Sequence, residues 1–509
     1  MEVDVVATPP AAVEADVLAF PVPDPVQLPP AARELDALVD GQLAHLTDDG
    51  ELRGDRGRVT LLHSNGRVSA HRLATAGIGA SARADADALR TAAAAVARRV
   101  GDIGGGTVAW ILAETASSLA PVEQARAIVD GTALGPYESG RWKTDESAQG
   151  TVERLVFCGP GTEGLTEALS RANVVAEWTN RCRDLVNAPA NELTPAGLAE
   201  WAESTVAANP HISFEVLGLD EIAAAGMGAL AAVAQGSDKG ARLMTLRYEP
   251  ESSARSDLLL GLIGKAITFD AGGLSLKPAL GLSEMKSDMG GGAAVLAGLA
   301  AIAELEIPLR IIAVVPACEN MPGGHSYRPG DIVTALNGKT IEVTNTDAEG
   351  RLILADALWH TRERGATHLL DLATLTSGIV TAMGDFYAGL FGNDPAWVEE
   401  IRAAAEASGD HAWPWPLHDT YLRFIDSQYA DMKNSSELKQ ATPVYAARFL
   451  QEFVGDGPWA HLDIAGTAFL ERGRDDYYRC PGATGYGVRL LAELAQRLVV
   501  PPSGGGRRG

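Results

Sequence analysis

The sequence predicts an α/β protein of two domains: a smaller N-terminal α/β domain and a larger C-terminal domain with a mostly parallel sheet sandwiched by helices. Three observations point there. The chain of 509 residues exceeds what one hydrophobic core ordinarily organises. Short apolar runs alternate with helical patterns along its length. Several of the later runs are continuously apolar, as in strands buried on both faces.

Residues 1–165 read as the first domain, in which VDVVA, DVLAF, RVTLL and RLVFC are strand-like and AARELDALVDGQLAHL and ADADALRTAAAAVARRV helical. The glycine-rich GDIGGGTVAW at 101–110 follows a helix, so it reads as a turn and not as a phosphate loop. Residues 166–195 form a linking helix and connection. Its NAPANELTP stops one helix with prolines and offers Thr194–Pro195 to start the next. Residues 196–498 form the second domain, with strands SFEVLG, ARLMTLRYEP, DLLLGLIG, LRIIAVVPA, THLLDLATLT and WAHLDIAG. Helices GGAAVLAGLAAIAEL and RLILADALWHTRERG fall between them, as in a doubly wound sheet with its ligand site at the carboxyl ends of the strands. Residues 499–509, ending PPSGGGRRG, are expected to be a disordered tail.

Composition narrows the function. A hydrophobic fraction of 46% with 21% charged residues is that of a globular protein with a sizeable core. The formal charge of −24 disfavours nucleic acid as the main ligand, because phosphate binding needs concentrated basic surface. Cys158, Cys182, Cys318 and Cys480 lie far apart without a CxxC, which favours free thiols in a reducing compartment and disfavours a cysteine-ligated zinc. MEVDVVATPP lacks the basic and apolar regions of a signal peptide, and the apolar run at 293–303 is too short to span a bilayer. A soluble, cytoplasmic protein without membrane partners is expected.

The chemistry gathers in two segments. In NTDAEGRL, residues 345–352, Asp347, Glu349 and Arg351 alternate after the strand-like KTIEVTN, so an extended chain points all three to one face. A DxE pair alone is more often a solvated turn. Upstream, GKAITFDAGGLSLKPALGLSEMKSDMGGGAAVL at 264–296 brings Lys265, Asp270, Lys277 and Asp288 to another strand-to-helix edge. Asp288 alone serves equally as a helix N-cap, and lysines are usually on the surface. GLIGK is too short before Lys265, and lacks the Ser/Thr, to be a phosphate loop. Together the segments place four carboxylates, two lysines and an arginine at the carboxyl edge of one predicted sheet. Oxygen-rich ligation without a Cys/His set suits a two-metal hydrolytic centre acting on an amide or a phosphate ester.

NTDAEGRL, with GKAITFDAGGLSLKP, EMKSDMGG and ENMPGGHSYRPGDIV, closely resembles the leucine aminopeptidase (cytosol aminopeptidase) family of dinuclear metallo-exopeptidases. The likeness runs through most of 180–495, including LVNAPANELTP, DLATLT and GATGYGVRLL, and is faint before 165. The resemblance implies that Lys265, Asp270, Asp288, Asp347 and Glu349 ligate two divalent ions, Zn²⁺ or Mn²⁺ with Mg²⁺ or Co²⁺ as further options, and that Asp270 and Glu349 bridge them. It implies that Lys277 polarises the scissile carbonyl and stabilises the gem-diolate, and that Arg351 holds a bicarbonate serving as general base. It places Met285, Asn345, Thr374 and Leu375, with Lys277, along the substrate. The implied reaction removes the first residue of peptides or dipeptides with a free α-amino group, and the implied assembly is a homohexamer. Ala266, Ala271 and His325 depart from the family's usual residues without removing a ligand. The ten histidines show no HExxH, and His325, His360 and His368 read as packing or surface residues. The rival readings are a DNA-binding regulator, as some bacterial members of the family are, a two-metal phosphoesterase and a catalytically dead scaffold.

Overall fold

A computed structural model describes residues 1–80, 84–112, 118–144 and 150–499; all but the first residue of the expected tail at 499–509 lies outside the described residues. The chain divides into two units, Met1–Asn180 with Arg472–Pro481 and Arg181–Glu471 with the residues from Gly482 on.

The first unit carries strands β1 (Glu2–Val5), β2 (Val17–Val22), β3 (Val59–His63), β4 (Arg72–Gly77), β5 (Gly106–Trp110) and β6 (Val152–Phe157). Its helices are α1 (Pro30–Leu38), α2 (Gln42–Asp48), α3 (Ala86–Asp102) and α4 (Pro121–Leu134). Among the described residues these strands form one six-stranded sheet, ordered β1-β6-β5-β2-β4-β3. It is parallel except where β3 pairs with β4. Successive side chains of β2 enter different cores, Val17 and Ala19 with Leu89 of α3, Leu18 and Phe20 with Leu35 of α1. That alternation is the period of a strand covered on both faces. The single helix expected over AARELDALVDGQLAHL is two helices. Asp40 and Gly41 turn left-handed at φ 61° and 74°, and the Asp36 carboxylate accepts the Leu43 amide at 2.7 Å to restart the chain. Within the glycine-rich 101–110, α3 ends at Asp102, residues 103–105 turn, and β5 begins at Gly106.

Helix α5 (Thr166–Asn187) contains the boundary between the units. Beyond it, Thr194 Oγ1 accepts the Gly197 amide at 3.1 Å with Pro195 in the first turn, as expected of an N-cap. The second unit has helices α6 (Pro195–Trp201), α7 (Leu219–Ala224), α8 (Gly228–Ala234), α9 (Gly290–Glu304), α10 (Glu349–Glu363), α11 (Ser377–Met383), α12 (Pro395–Ser408), α13 (Thr442–Gln451) and α14 (Val488–Val499). Its strands are β7 (Ile212–Gly218), β8 (Arg242–Tyr248), β9 (Leu260–Gly264), β10 (Ala266–Asp270), β11 (Ile311–Asn320), β12 (Ile332–Thr334), β13 (Thr340–Glu342), β14 (His368–Ala373), β15 (Ala388–Gly392), β16 (Ala412–Pro414), β17 (Met432–Lys433) and β18 (Trp459–Asp463).

The main sheet, nine strands among the described residues, runs β16-β15-β18-β14-β9-β11-β8-β7, with β10 also on β11. Its centre is parallel, and antiparallel pairing enters at β8, β7 and β15. Helices lie on both faces. Val314 of β11 packs in the core with Leu352 and Leu354 of α10, whereas its neighbour Val315 faces Gly292 of α9. Strands β12, β13 and β17 form a separate small sheet. Among the described residues, no helix is long and apolar enough to cross a membrane.

Candidate metal centre

Lys265 follows the last residue of β9, where its amide bonds to the Leu372 carbonyl of β14. Its buried ammonium sits 2.7 Å from Asp288 Oδ1 and 2.8 Å from Glu349 Oε1, and it donates to the Thr374 carbonyl at 2.8 Å. Asp270 closes β10. Its Oδ1 accepts the Gly272 amide at 2.9 Å and Asn320 Nδ2 at 2.8 Å, which turns Oδ2 toward Lys277 Nζ at 2.8 Å. Lys277 also meets Asp347 Oδ1 at 2.5 Å. The chain returns from Asp270 to Lys277 through Gly272 and Gly273, both at positive φ, where a Cβ on Gly272 would lie 2.9 Å from Asp347 Oδ1. A Cβ on Gly350 would lie 2.7 Å from Lys265 Cε, so a glycine is what lets the first turn of α10 pass the lysine.

Asp270, Asp347 and Glu349 each present an oxygen within 4.8 Å of the others. Two buried oxygens of the cluster, Asp288 Oδ2 and Glu349 Oε2, have no hydrogen-bond partner. Four carboxylates against two ammonium groups leave excess negative charge in a dry place, the condition that a cation relieves. Burial raises Asp270 well above the usual carboxyl range, with Glu349 and Asp288 adding to it against the pull of the lysines. Burial likewise lifts Asp288, to about 6, although Lys265 opposes it. Burial and Glu349 also raise Asp347. Glu349 goes the other way, because Lys265 and Lys277 outweigh its desolvation. For both lysines burial favours loss of the proton, but the surrounding carboxylates outweigh it and raise them.

Three readings of the sequence are corrected. NTDAEGRL is not extended: residues 346–347 turn and α10 begins at Glu349, so Glu349 and Arg351 are two apart on a helix and cannot share a face. Arg351 instead donates to the Asn434 carbonyl at 2.9 Å and lies 5.4 Å over the Tyr445 ring. The strand before the motif is also not part of the main sheet. It is β13 of the small sheet, so only Lys265, Asp270 and Thr374 are delivered by ends of main-sheet strands. Nor does Asp288 cap α9. Its Oδ1 takes Lys265 and the Thr374 hydroxyl at 2.7 Å each, and the cap position belongs to Met289.

Of the residues expected along the substrate, Met285, Asn345, Thr374 and Leu375 are half-buried; Thr374 touches Asp288, and Asn345 Oδ1 accepts the Asp347 amide at 3.0 Å. His325 is exposed, His360 is buried against Thr245, and His368 packs on Trp397. Sequence reasoning missed the scaffold. Asn320 and Tyr327 both donate to the Thr346 carbonyl, at 3.0 and 2.6 Å. Thr346 and Ser275 exchange hydrogen bonds that tie the Lys277 loop to the motif. Asp463 accepts the Leu375 amide at 3.1 Å and the Thr376 hydroxyl at 2.6 Å, fixing the turn that carries Thr374. Most of these residues lie inside the quoted motifs, but hydrogen bonds between segments so far apart in sequence leave no spacing to read.

An α/β unit that gathers carboxylates and lysines of this kind belongs to the hydrolytic enzymes with a carboxylate-rich centre. Comparison with known proteins makes the class specific. Residues 180–492 match the cytosol aminopeptidase family, catalytic domain, and residues 17–146 match the cytosol aminopeptidase family, N-terminal domain. A probable cytosol aminopeptidase of Solibacter usitatus is 44% identical over 446 residues, 88% of this chain and 91% of that one. Another, from Geobacter sulfurreducens, is 40% identical over 91% of this chain and 93% of its own. A mutant of tomato leucine aminopeptidase superposes with a TM-score of 0.87 at 32% identity, covering 98% of this chain and 96% of its own. The bottromycin maturation enzyme BotP in complex with Mn gives 0.83 at 34% identity, over 96% and 100%. The chain belongs to the cytosol aminopeptidase family and is an aminopeptidase, a hydrolase of peptide bonds.

Proposed function

We propose that the protein is a leucyl aminopeptidase that uses two divalent ions to remove the N-terminal residue of peptides with a free α-amino group. The observation that carries this is the contact cluster of Lys265, Asp270, Lys277, Asp288, Asp347 and Glu349, with buried oxygens of Asp288 and Glu349 left without partners. Lys265, Asp270, Asp288, Asp347 and Glu349 would hold the ions, Zn²⁺ or Mn²⁺ being the favoured pair and Mg²⁺ or Co²⁺ alternatives that the oxygen-rich set also accepts. Bound there, the ions supply Lewis acidity and a nucleophilic water near neutral pH. The Mn complex of BotP, a protein of the same fold, supports that assignment.

The protein's own groups divide the remaining work. Lys265 binds a metal only as a neutral amine. Burial already favours losing the proton, and neutralising Asp288 and Glu349 removes what opposes that loss. Lys277, half-buried and held cationic by Asp270, Glu349 and Asp347, is placed to donate to the oxygen on which charge develops at the scissile carbonyl. The buried Arg351 keeps its Nε without a partner and would hold the bicarbonate that takes the proton from the attacking water. The acidic cluster favours the amino end of a peptide, and Met285, Asn345, Thr374 and Leu375 would line its first side chain. A cytoplasmic homohexamer completes the reading, on the family's likeness.

Hydrolysis of leucine p-nitroanilide, against its N-acetylated form, tests this with Mn²⁺ or Zn²⁺ and again after chelation. Metal-dependent cleavage of the free amine alone is the expected result. Cleavage of both substrates refutes the exopeptidase assignment, and cleavage surviving chelation refutes the metals.

A further inference from the structure

Asn434 lies 83 residues beyond Arg351 in a stretch that the sequence did not single out, yet it is fully buried against the signature motif. Strand β17 pairs with β13 in parallel, Ile341 beside Met432 and Glu342 beside Lys433, and the ladder ends there because the chain turns toward Asp347. Asn434 continues the ladder with its side chain. Its backbone amide donates to the Glu342 carbonyl at 3.0 Å. Its Oδ1 accepts the Thr344 amide at 2.9 Å and the Asn345 amide at 3.3 Å, and its Nδ2 donates to the Asn345 carbonyl at 2.7 Å and the Ala348 carbonyl at 3.4 Å. A carboxamide has the donor and acceptor of a peptide group, so one side chain satisfies backbone that has left the sheet. The carbonyl of the same residue takes the Arg351 guanidinium at 2.9 Å.

We propose that Asn434 is a positioning residue for the hydrolysis. Its amide fixes the turn at 344–348 that leads into α10, its carbonyl takes the guanidinium, and through both it positions Arg351. The proposal rests on the function given above only for the meaning of that position. The side chain bonds Thr344, Asn345 and Ala348 and none of the residues assigned to the metals, so its effect passes through the residues that it holds.

The test compares Asn434→Ala, and the isosteric Asn434→Asp, which keeps the acceptor and loses the donor, in the full chain. Each is combined with Arg351→Ala, and kcat and KM are measured on leucine p-nitroanilide with Mn²⁺. Misplaced groups lower kcat by about 10- to 100-fold. With Arg351 already gone, the same substitution is expected to change kcat by no more than about twofold, the scatter of independent sites. Equal losses in both backgrounds, or wild-type turnover in both variants, overturn the proposal. Hydrogen exchange at the Thr344 and Asn345 amides gives a readout that needs no activity: it accelerates in Asn434→Ala while β2 of the first unit keeps its protection. An inert wild type therefore counts against the aminopeptidase reading alone. In that case unchanged exchange at these amides overturns the placement of the turn, and accelerated exchange supports it.

Discussion

In the first unit Arg90 is buried between two carboxylates, its Nη1 2.8 Å from Asp87 and its Nε 3.0 Å from Asp130. In the second, Lys265 is buried as deeply between Asp288 and Glu349. The two sites look alike by exposure, and they differ in what is left over. Arg90 meets its partners with the directed nitrogens of a guanidinium, and the arrangement joins α3 to α4 within one core. Around Lys265 the oxygens Asp288 Oδ2 and Glu349 Oε2 stay unmatched, a second lysine is drawn in from a loop, and glycines hold the backbone close. Buried charge that its own chain matches is a fastening. Buried charge left in excess, at the ends of strands, is a place for something to bind.

That contrast breaks if the two sites respond alike to mutation. Arg90→Ala strands two buried carboxylates and is expected to destabilise the first unit by about 3–5 kcal/mol in denaturant melts. Turnover per folded molecule should persist, and its loss would make the arginine part of the reaction. Lys277→Ala is expected to lower kcat by about 10² to 10³, and Arg351→Ala similarly, with the melting midpoint of the metal-loaded protein little changed. Wild-type turnover in Lys277→Ala removes its assigned role.

A third test concerns His360, which burial, with some help from Arg364, lowers to about 4. A depressed histidine stabilises the fold in full above its unfolded value near 6.5, and that contribution is lost as pH falls toward 4. His360→Gln should therefore flatten the acid limb of stability across that window; an unchanged limb assigns it to other groups. The smallest effect belongs to Arg364→Ala, which breaks an exposed pair with Glu215 and should change stability by no more than about 1 kcal/mol.

Strands buried on both faces announced themselves as apolar runs, and so the central strands β9, β11, β14 and β18 were legible. Short strands were not. β12 and β17 have three and two residues, too few for a period, and β13, read as the strand-like KTIEVTN, was assigned to the wrong sheet. The motif residues could be found because chemistry packs them closely in sequence. The alternation of Asp347, Glu349 and Arg351 then misled, since period two means one face only in extended chain. The scaffold roles of Asn320, Thr346, Asn434 and Asp463 were invisible for a different reason. Their work is hydrogen bonding across long stretches of chain, which leaves no trace in spacing.

The first unit takes back Arg472–Pro481 after nearly the whole second unit has been laid down. On a ribosome this stretch emerges only after residues 181–471, so the first unit waits for it until most of the second has been made. A fragment ending at Asn180 would lack that piece for good. No single cut of the chain yields both units whole, and a nick between Glu471 and Gly482 would injure both.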